Sequence, residues 1–362
     1  MTCIAQKQIQ KIAALAIAVL MLGGSASLFA QISPISDYQY KKDFPQYDAI
    51  KKEADAQKRA DALLGFIKAR PVSKILPFAA ADYLACVQPL LAQKDWTKAI
   101  AMEEALLAAL PTPEVAKAAI PEGVTPGFDD FMKEQLVPAQ KSIYQALLTT
   151  YYQSQNLPKA AETAEKLYAI SPDKGVLDLL ASINLGMKNY DKYLEYAQKI
   201  MADTPMDQGY TVALQMAQVY IQKQNVAKAT ELLAKIMEVY GDKVPPNVPE
   251  AQWKATRAFA YGVIASGIYS AKDYAKAIEL YGKVAANDPT REDAHYYIGM
   301  SRWQTKDPEG AIEAFSRCVV LNKTLAKKAQ GYLEDLYKAR HSGNLDGLDQ
   351  VLAKAKADLG VN

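Results

Sequence analysis

Apolar residues recur along most of the chain at positions i, i+3, i+4 and i+7, which is the spacing of one face of an amphipathic helix. Several of these segments begin with a polar turn that contains Asp or Asn. Such a side chain accepts hydrogen bonds from the free N–H groups of a helix's first turn. The pattern therefore predicts a chain of consecutive helices. The clearest helix starts lie at 95–99, 189–193, 225–229 and 273–277.

A small residue near the start of a predicted helix is repeatedly followed, twelve positions later, by proline. Proline lacks a backbone N–H group and clashes with the preceding helical turn, so it ends a helix. The spacing therefore predicts repeated helices of similar length. The pairs are Ala99 with Pro111, Ala160 with Pro172, Ala277 with Pro289 and, with a larger first residue, Tyr193 with Pro205.

The pattern extends furthest in two directly adjacent segments, 258–291 and 292–325, of 34 residues each. In both, a first helix precedes a second one, which proline ends in 258–291, whereas Lys323 replaces that proline in 292–325. Two antiparallel helices approach closely only where small residues face each other, and aromatic residues then fill the space toward the next unit. We expect Gly299 to face Ala311, and Ala265 to face Ala277. The aromatic residues are Tyr281 and Phe315, and Pro289 ends the first of the two segments.

These positions resemble the signature of the tetratricopeptide repeat (TPR), whose 34-residue unit has the pattern W-x2-L-G-x2-Y followed by Ala, Phe and Pro. The resemblance implies an all-α fold in which helix–turn–helix units stack into a solenoid, a right-handed superhelix closed by helical caps. It covers six units and more than half of the chain. The units are 80–113, 141–173, 174–207, 210–243, 258–291 and 292–325.

The segments at either end of the repeats are expected to cap the solenoid. Residues 31–79 contain a linker and an N-terminal cap or partial repeat, with one helix over 47–70. Residues 326–362 contain C-terminal capping helices, over 325–340 and 345–359. A cap covers the apolar face that a terminal repeat would otherwise expose.

Two segments interrupt the repeat period, 114–140 and 244–257, and each contains three prolines. Insertions in a solenoid are expected to emerge from it as loops. The first insertion also carries the acidic residues Glu122, Asp129 and Asp130.

Residues 1–30 have the layout of a secretory signal peptide. Lys7 and Lys11 precede an apolar run over 12–22, and small residues follow that run. A membrane-spanning helix needs about 20 apolar residues, which is more than this run provides. We expect cleavage near Ala26 or Ala30 and export of the remaining chain; an uncleaved anchor is the alternative.

Removal of the signal changes the charge of the chain. The 362 residues include 42 Lys+Arg and 40 Asp+Glu, a net charge of +2. Without Lys7 and Lys11, 40 basic residues face 40 acidic residues. A neutral chain lacks the electrostatic signature of a nucleic-acid-binding protein. We therefore expect neither nucleic acid nor an anionic membrane as a partner, and no integral membrane span after cleavage.

Residue types that carry catalysis or bind metals are not grouped in a recognisable motif. Cys86 and Cys318 lie on apolar helix faces and are expected to be buried thiols. We expect His295 to pack in the core and His341 to cap a helix end. Adjacent carboxylates point to different helix faces, so they form no ready acid–base pair. Two such pairs, expected to be solvated, are Glu103–Glu104 and Asp129–Asp130. No catalytic residue, cofactor or metal site is predicted.

The TPR resemblance implies that the first helix of each unit lines an inner surface and that positions 2, 5, 9 and 12 face a ligand. At position 12 this chain has Leu91, Tyr152, Leu185, Ile221, Tyr269 and Trp303. Phe259 and Tyr296 lie at positions 2 and 5. The residues expected to bind a partner are Tyr152, Tyr269, Tyr296, Trp303 and Phe259. The alternative is that these side chains only pack helices together.

The sequence thus favours an exported scaffold or adaptor that binds a protein or peptide in a concave groove. The periplasm of a Gram-negative bacterium is the expected location, with the extracellular space as a second possibility. One alternative is an enzyme or enzyme subunit that uses the 114–140 insertion, with Glu122, Asp129 and Asp130 converging on a site. Another is a structural cell-envelope component without a defined ligand.

Overall fold

A computed structural model of the protein describes residues 36–120 and 127–361. Every regular element within these ranges is a helix, which confirms the all-α prediction for this part of the chain. The predicted signal peptide at 1–30 lies outside the described residues, and so does Glu122.

The helices are numbered in chain order, and a π-helical turn over Met132–Leu136 joins α6 to α7. They are α1 Asp37–Lys51, α2 Ala56–Ala69, α3 Leu76–Ala92, α4 Trp96–Ala109, α5 Pro113–Ala119, α6 Phe128–Phe131, α7 Val137–Gln153, α8 Leu157–Ile170, α9 Lys174–Gly186, α10 Tyr190–Ala202, α11 Met206–Gln222, α12 Val226–Val239, α13 Glu250–Ser270, α14 Tyr274–Asn287, α15 Glu292–Gln304, α16 Pro308–Val320, α17 Ala326–Arg340 and α18 Leu348–Leu359.

Each of the six expected repeat segments contains a helical hairpin whose two helices are joined by three residues. The first hairpin is α3 with α4. The second to sixth pair α7 with α8, α9 with α10, α11 with α12, α13 with α14, and α15 with α16. In all six, the middle residue of the turn has a left-handed backbone, with φ between 59° and 65°. Those residues are Lys94, Gln155, Lys188, Gln224, Lys272 and Lys306.

In five of the six hairpins, the Asp or Asn that follows the left-handed residue caps the second helix through its side chain. The side chain of Asp273, for example, accepts a hydrogen bond from the Lys276 N–H at 3.1 Å. Its own N–H group donates to the carbonyl of Ile268 at 3.2 Å, which closes the turn onto the first helix. The hairpins therefore repeat in their local hydrogen bonding as well as in their length.

Small residues lie where the helices of a hairpin cross. Ala265, Ala277 and Ala311 are fully buried. A Cβ atom added to Gly299 would lie 2.7 Å from the ring of Phe315, closer than two carbon atoms can approach. The aromatic ring thus occupies the space that glycine leaves open, as close helix packing requires.

The insertion at 244–257 is not entirely a loop, because α13 begins at Glu250. The extra helical turns carry Trp253, which is almost fully buried. Its ring lies 5.6 Å from that of Tyr240 and 6.1 Å from that of Tyr210, both in edge-to-face arrangements. Burial of this large ring against α11 and the end of α12 stabilises the extension, so the expectation of a loop was wrong for residues 250–257.

The described part of the 114–140 insertion is also largely helical, again contrary to the expected loop. Pro113 is at the start of α5 and Pro138 at the start of α7, where a helix needs no N–H donor. Phe131 and Leu136 are fully buried and anchor this segment to the core. Of the prolines in this insertion, Pro138 thus lies at a helix start, and Pro121 and Pro126 lie outside the described residues.

The N-terminal segment contains two helices where the sequence predicted one over 47–70. The break lies between α1 and α2, where the side chain of Asp55 accepts a hydrogen bond from the Lys58 N–H at 2.9 Å.

At the C-terminal end, α18 begins at Leu348 rather than 345, because Gly347 adopts a left-handed backbone with φ 88°. The hydroxyl of Tyr337 donates to the Asp346 carbonyl at 2.8 Å and holds the preceding turn.

Internal packing divides the chain into two compact units, one ending at Tyr193 and the other beginning at Leu194. The boundary lies within α10. In the second unit, α17 and α18 both pack against α16. The core formed there includes Phe315, Cys318, Leu333 and Leu348, together with Tyr296, Ala311, Ile312, Ala329 and Tyr337.

Candidate protein-binding site

The residues expected to bind a partner are divided between the two units. Tyr152 lies on α7 in the first unit, where it is half-buried, and this burial raises the pKa of its phenol. The other four lie in the second unit. Phe259 and Tyr269 on α13 are half-buried, whereas Trp303 on α15 is 42% exposed. The remaining position-12 side chains, Leu91, Leu185 and Ile221, are half-buried.

Three tyrosines fill the junction between the fifth and sixth hairpins. Tyr297 on α15 stacks on Tyr281 of α14, with ring centroids 5.2 Å apart and an angle of 13° between the planes. The ring of Tyr269 on α13 lies 4.9 Å from that of Tyr297, at 61°. One tyrosine of the later hairpin thus contacts both helices of the earlier one.

The same arrangement recurs between the sixth hairpin and α17. Tyr332 on α17 stacks on Phe315 of α16, with centroids 5.6 Å apart and planes 21° apart. The ring of Trp303 on α15 lies 5.5 Å from that of Tyr332, at 53°. We call the set Tyr269, Tyr281 and Tyr297 the first aromatic triad, and the set Trp303, Phe315 and Tyr332 the second aromatic triad.

For two of the position-12 residues, Tyr269 and Trp303, the sequence left open whether they bind a partner or only pack helices together. Tyr269 and Trp303 each pack against an aromatic ring of the next hairpin or helix. Trp303 nevertheless leaves a large part of its indole exposed. A tryptophan that is held by a neighbouring ring and is still partly exposed presents a large, rigid apolar surface.

Tyr296 does not present its ring to a partner, contrary to the expectation from its repeat position. It is only 4% exposed, and its ring contacts those of Tyr297, Phe315 and Tyr332 at centroid distances of 5.3, 6.0 and 6.3 Å. Burial raises the pKa of its phenol. Tyr296 is a packing residue between the two aromatic triads.

Two residues of the triads, Tyr297 and Tyr332, were not among the expected site residues. They follow the aromatic residue of the preceding second helix by 16 and 17 positions. The repeat signature does not specify an aromatic residue there. A search for rings at this offset from Tyr281 and Phe315 would have found both.

A lysine lies next to the second aromatic triad. The ammonium of Lys328 on α17 is 5.4 Å from the ring centroid of Tyr296, and its hydrogen bond with the Tyr296 hydroxyl raises its pKa. Lys328 precedes Tyr332 by four residues, so the two side chains lie on one face of α17. The exposed indole of Trp303 is thus accompanied by an exposed cation.

Of the two acidic pairs that were expected to be solvated, one contains a buried residue. Glu103 is not solvated: it is 1% exposed and accepts a hydrogen bond from the Thr150 hydroxyl at 3.0 Å. Burial raises its pKa to about 7. Glu104, its neighbour, accepts a hydrogen bond from the hydroxyl of Tyr151. The two carboxylates therefore bind side chains of the second hairpin, which joins α4 to α7.

Of the three carboxylates named in the enzyme alternative, the structure describes two, and both lie on the surface. Asp129 and Asp130 are both exposed, and Asp130 accepts a hydrogen bond from the Gly127 N–H at 2.8 Å. Cys86 and Cys318 are free and buried. Across residues 36–120 and 127–361, no three His, Cys, Asp or Glu side chains are grouped so that they could hold a metal ion.

Both histidines have structural partners. His295 is buried, its Nε2 lies 2.9 Å from the Pro289 carbonyl, and burial lowers its pKa. The ring of His341 stacks on that of Tyr337 at 3.8 Å at the end of α17. Its Nδ1 is 2.9 Å from the Tyr337 carbonyl, which also accepts a hydrogen bond from the backbone N–H of His341 at 3.0 Å.

A cavity of about 410 Å³ lies in the second unit among α14, α15, α16 and the end of α18. Its charged groups bind one another: Arg302 contacts Asp307 at 2.6 Å, and Arg317 contacts Glu313 and Asp358 at 2.9 and 3.3 Å. The cavity therefore offers no uncompensated charge to a ligand.

Among the described helices, none is both long and apolar enough to cross a membrane.

Comparison with solved structures finds matches at low sequence identity and low TM-score. A crystal structure of MamA covers 50% of this chain and 94% of its own, with 17% identity and a TM-score of 0.35. YrrB, described as a TPR protein with an unusual peptide-binding site, covers 52% and 91%, with 14% identity and a TM-score of 0.38. MamA from Desulfovibrio magneticus RS-1 covers 57% and 97%, with 12% identity and a TM-score of 0.33.

At these values the similarities carry no argument about what this chain binds. No protein-family model matches the sequence, and a search of curated proteins found no match. The architecture rests on the chain's own repeated hairpins, with their shared turn, small crossing residues and aromatic triads. The described residues form an all-α array of TPR-type helical hairpins, and in this fold the chain resembles the TPR family.

Proposed function

We propose that the protein is an exported interaction scaffold that binds a segment of a partner protein at the second aromatic triad, with Trp303 as the principal contact. The single observation that carries this proposal is that Trp303 is 42% exposed while its ring packs against that of Tyr332. Tryptophan and tyrosine bury large areas at small entropic cost and dominate the binding energy of many interfaces.

The position of the triad supports this choice. Trp303 and Tyr332 are on α15 and α17, and Tyr269 is on α13, so these rings come from the first helices of successive hairpins and from the helix that follows them. A segment lying across these helices would contact Trp303 and then Tyr269. Phe259 in the same unit remains an expected contact, as does Tyr152 within the first unit, whereas Tyr296 is too buried to contribute.

Export is part of the proposal and rests on the sequence of residues 1–30. N-terminal sequencing of the protein recovered from the periplasm should begin just after Ala26 or Ala30. Recovery of exported protein with Met1 intact would contradict cleavage. Recovery only from the cytoplasm would contradict export, while leaving the binding proposal in place.

Site-specific photo-crosslinking tests the binding site directly. A photoreactive phenylalanine analogue would replace Trp303 in the full-length protein, and the cells would be irradiated before the envelope is solubilised. Phe44 on α1 is the matched control because it is an aromatic residue of the same exposure, 41%. We expect a discrete adduct from position 303 that position 44 does not give.

A second measurement separates binding from stability. Trp303→Ala should remove the partner from a pulldown while thermal unfolding remains cooperative; Phe44→Ala should retain the partner. Equal recovery with both variants, together with equal crosslinking at 303 and 44, would exclude the aromatic site. That result would favour the structural envelope role without a defined ligand.

A further inference from the structure

The first turn of α17 carries two lysines in a position that is electrostatically unfavourable. The turn contains Lys327 and Lys328 and no acidic residue. The start of a helix has a partial positive charge and favours anions over cations. Both side chains are exposed, and no carboxylate of residues 36–120 or 127–361 forms an ion pair with either one. Within the described residues neither charge is neutralised by an ion pair; Lys328 contacts the ring and the hydroxyl of Tyr296.

A carboxylate also lies at the start of α17, but it is already hydrogen-bonded to the backbone. Glu292 accepts a hydrogen bond from the Leu325 N–H at 2.8 Å. Lys323, just before α17, donates to the Thr290 carbonyl at 2.5 Å and adds a third positive charge. The surface beside the second aromatic triad therefore favours a negatively charged ligand and repels a positively charged one.

Of the two lysines, only Lys328 is directed toward the aromatic rings. Its ammonium lies 5.4 Å from the Tyr296 ring centroid, and Tyr332 follows one helical turn later. Lys327 is one residue earlier, which rotates it by about 100° around the helix axis. Lys328 therefore lies at the proposed site, and Lys327 is a matched lysine on another face of the same helical turn.

The distance between the Lys328 ammonium and the Trp303 indole sets how far apart two side chains of a ligand must lie to contact both. Tyr296, beneath Lys328, and Trp303 are seven residues apart on α15, which corresponds to about 10 Å along the helix. A segment in the polyproline II conformation rises about 9 Å in three residues and, with three residues per turn, places side chains three positions apart on the same face. A single segment of this kind can therefore contact both groups.

Building on the proposed function, we propose that the partner is an acidic segment. It places an apolar or aromatic side chain against Trp303 and Tyr332, and a carboxylate about three residues away against Lys328. Charge complementarity at α17 selects this partner, and the exposed indole supplies the apolar contact.

Synthetic peptides test the charge and the spacing together. The probe is a fluorescein-labelled ten-residue peptide of Gly and Ser that contains one Phe and, three positions away, one Glu. Two matched peptides replace Glu with Gln or Lys. Affinities are measured by fluorescence anisotropy with the full mature protein and with the variants Lys328→Glu, Lys327→Glu and Trp303→Ala, each checked for cooperative unfolding.

The native protein should bind the Glu peptide about three- to fivefold more tightly than the Gln peptide at low salt, and the difference should shrink as salt is added. Lys328→Glu should reverse the order so that the Lys peptide binds best, whereas Lys327→Glu should keep the native order. Trp303→Ala should weaken all three peptides.

Two results would overturn the acidic-partner proposal without affecting the proposed function. One is equal affinity for the Glu and Gln peptides with a shared dependence on Trp303. The other is no binding of any peptide while crosslinking at 303 still captures a partner. Equal effects of Lys327→Glu and Lys328→Glu would also overturn it, because they would reflect net charge alone. Failure of the proposed function itself would be recognised by loss of the specific adduct at 303.

Discussion

Tyr297 stacks on Tyr281 with a centroid distance of 5.2 Å, and this contact joins the sixth hairpin to the fifth. Tyr332 and Phe315 repeat it one step further along the chain, at 5.6 Å. In both places a ring from the later helix inserts between the two helices of the earlier hairpin. The junctions between hairpins are therefore built from repeated aromatic contacts as well as from the small residues of the helix crossings.

Truncation of the stacked ring should destabilise this part of the protein. We expect Tyr297→Ala to lower the free energy of unfolding by about 2–4 kcal/mol, because it removes a large half-buried ring and its contacts with three neighbouring aromatic rings. Tyr297→Phe keeps the ring and should cost less than about 1 kcal/mol. Denaturant unfolding of the purified protein measures both, and similar losses for the two variants would show that the hydroxyl matters more than stacking.

The space beside Gly299 should not tolerate an added methyl group. Gly299→Ala places a Cβ atom 2.7 Å from the Phe315 ring, so we expect a loss of about 1–3 kcal/mol through overpacking. Gly282 on α14 is the matched control because an added Cβ would have no atom within 4 Å. Gly282→Ala should raise stability by about 0.5–1 kcal/mol, since alanine is the better helix former. Stabilisation by both substitutions would contradict the close contact at Gly299.

Burial of Glu103 should make stability depend on pH. Its pKa rises from 4.5 to about 7 on folding, so the folded protein holds a proton that the unfolded chain has already lost. The contribution of this group is therefore complete below pH 4.5 and declines as the pH rises through about 7, by on the order of 2–3 kcal/mol. Denaturant unfolding at several pH values measures this decline.

Glu103→Gln should remove most of that pH dependence, because a neutral amide can still bind the Thr150 hydroxyl. Glu238→Gln, at an exposed position on α12, is the control and should leave the dependence unchanged. An unaltered decline in the Glu103→Gln protein would assign the pH dependence to other groups.

The left-handed residue of each hairpin turn is a site where stability can be gained. Lys272 is exposed and has φ 65°, a conformation that costs a residue with a side chain about 1 kcal/mol or more. Lys272→Gly relieves that cost and should raise the melting temperature, while Lys272→Val should lower it because a β-branched residue is more strained there. A higher melting temperature for the valine variant would contradict the strain argument.

The hairpins could be predicted from the sequence because their determinants are local. The Asp or Asn caps, the small crossing residues and the prolines each act within a few residues of their own helix. Insertions were harder to interpret, because a proline at a helix start and a proline in a loop look alike in the sequence. Only the burial of Trp253 and Phe131 against distant residues decided that these segments are helical.

The surface properties of the candidate site depended on tertiary structure. Tyr296 and Trp303 are seven residues apart on α15, so they point in nearly the same direction and the local pattern treats them alike. Tyr332, which comes from α17 some thirty residues later, contacts both rings. Packing around it leaves Tyr296 buried and Trp303 exposed, because the rings of Tyr297 and Phe315 also cover Tyr296. Local sequence specifies where each helix begins and ends, whereas exposure depends on which neighbours the folded chain brings to each side chain.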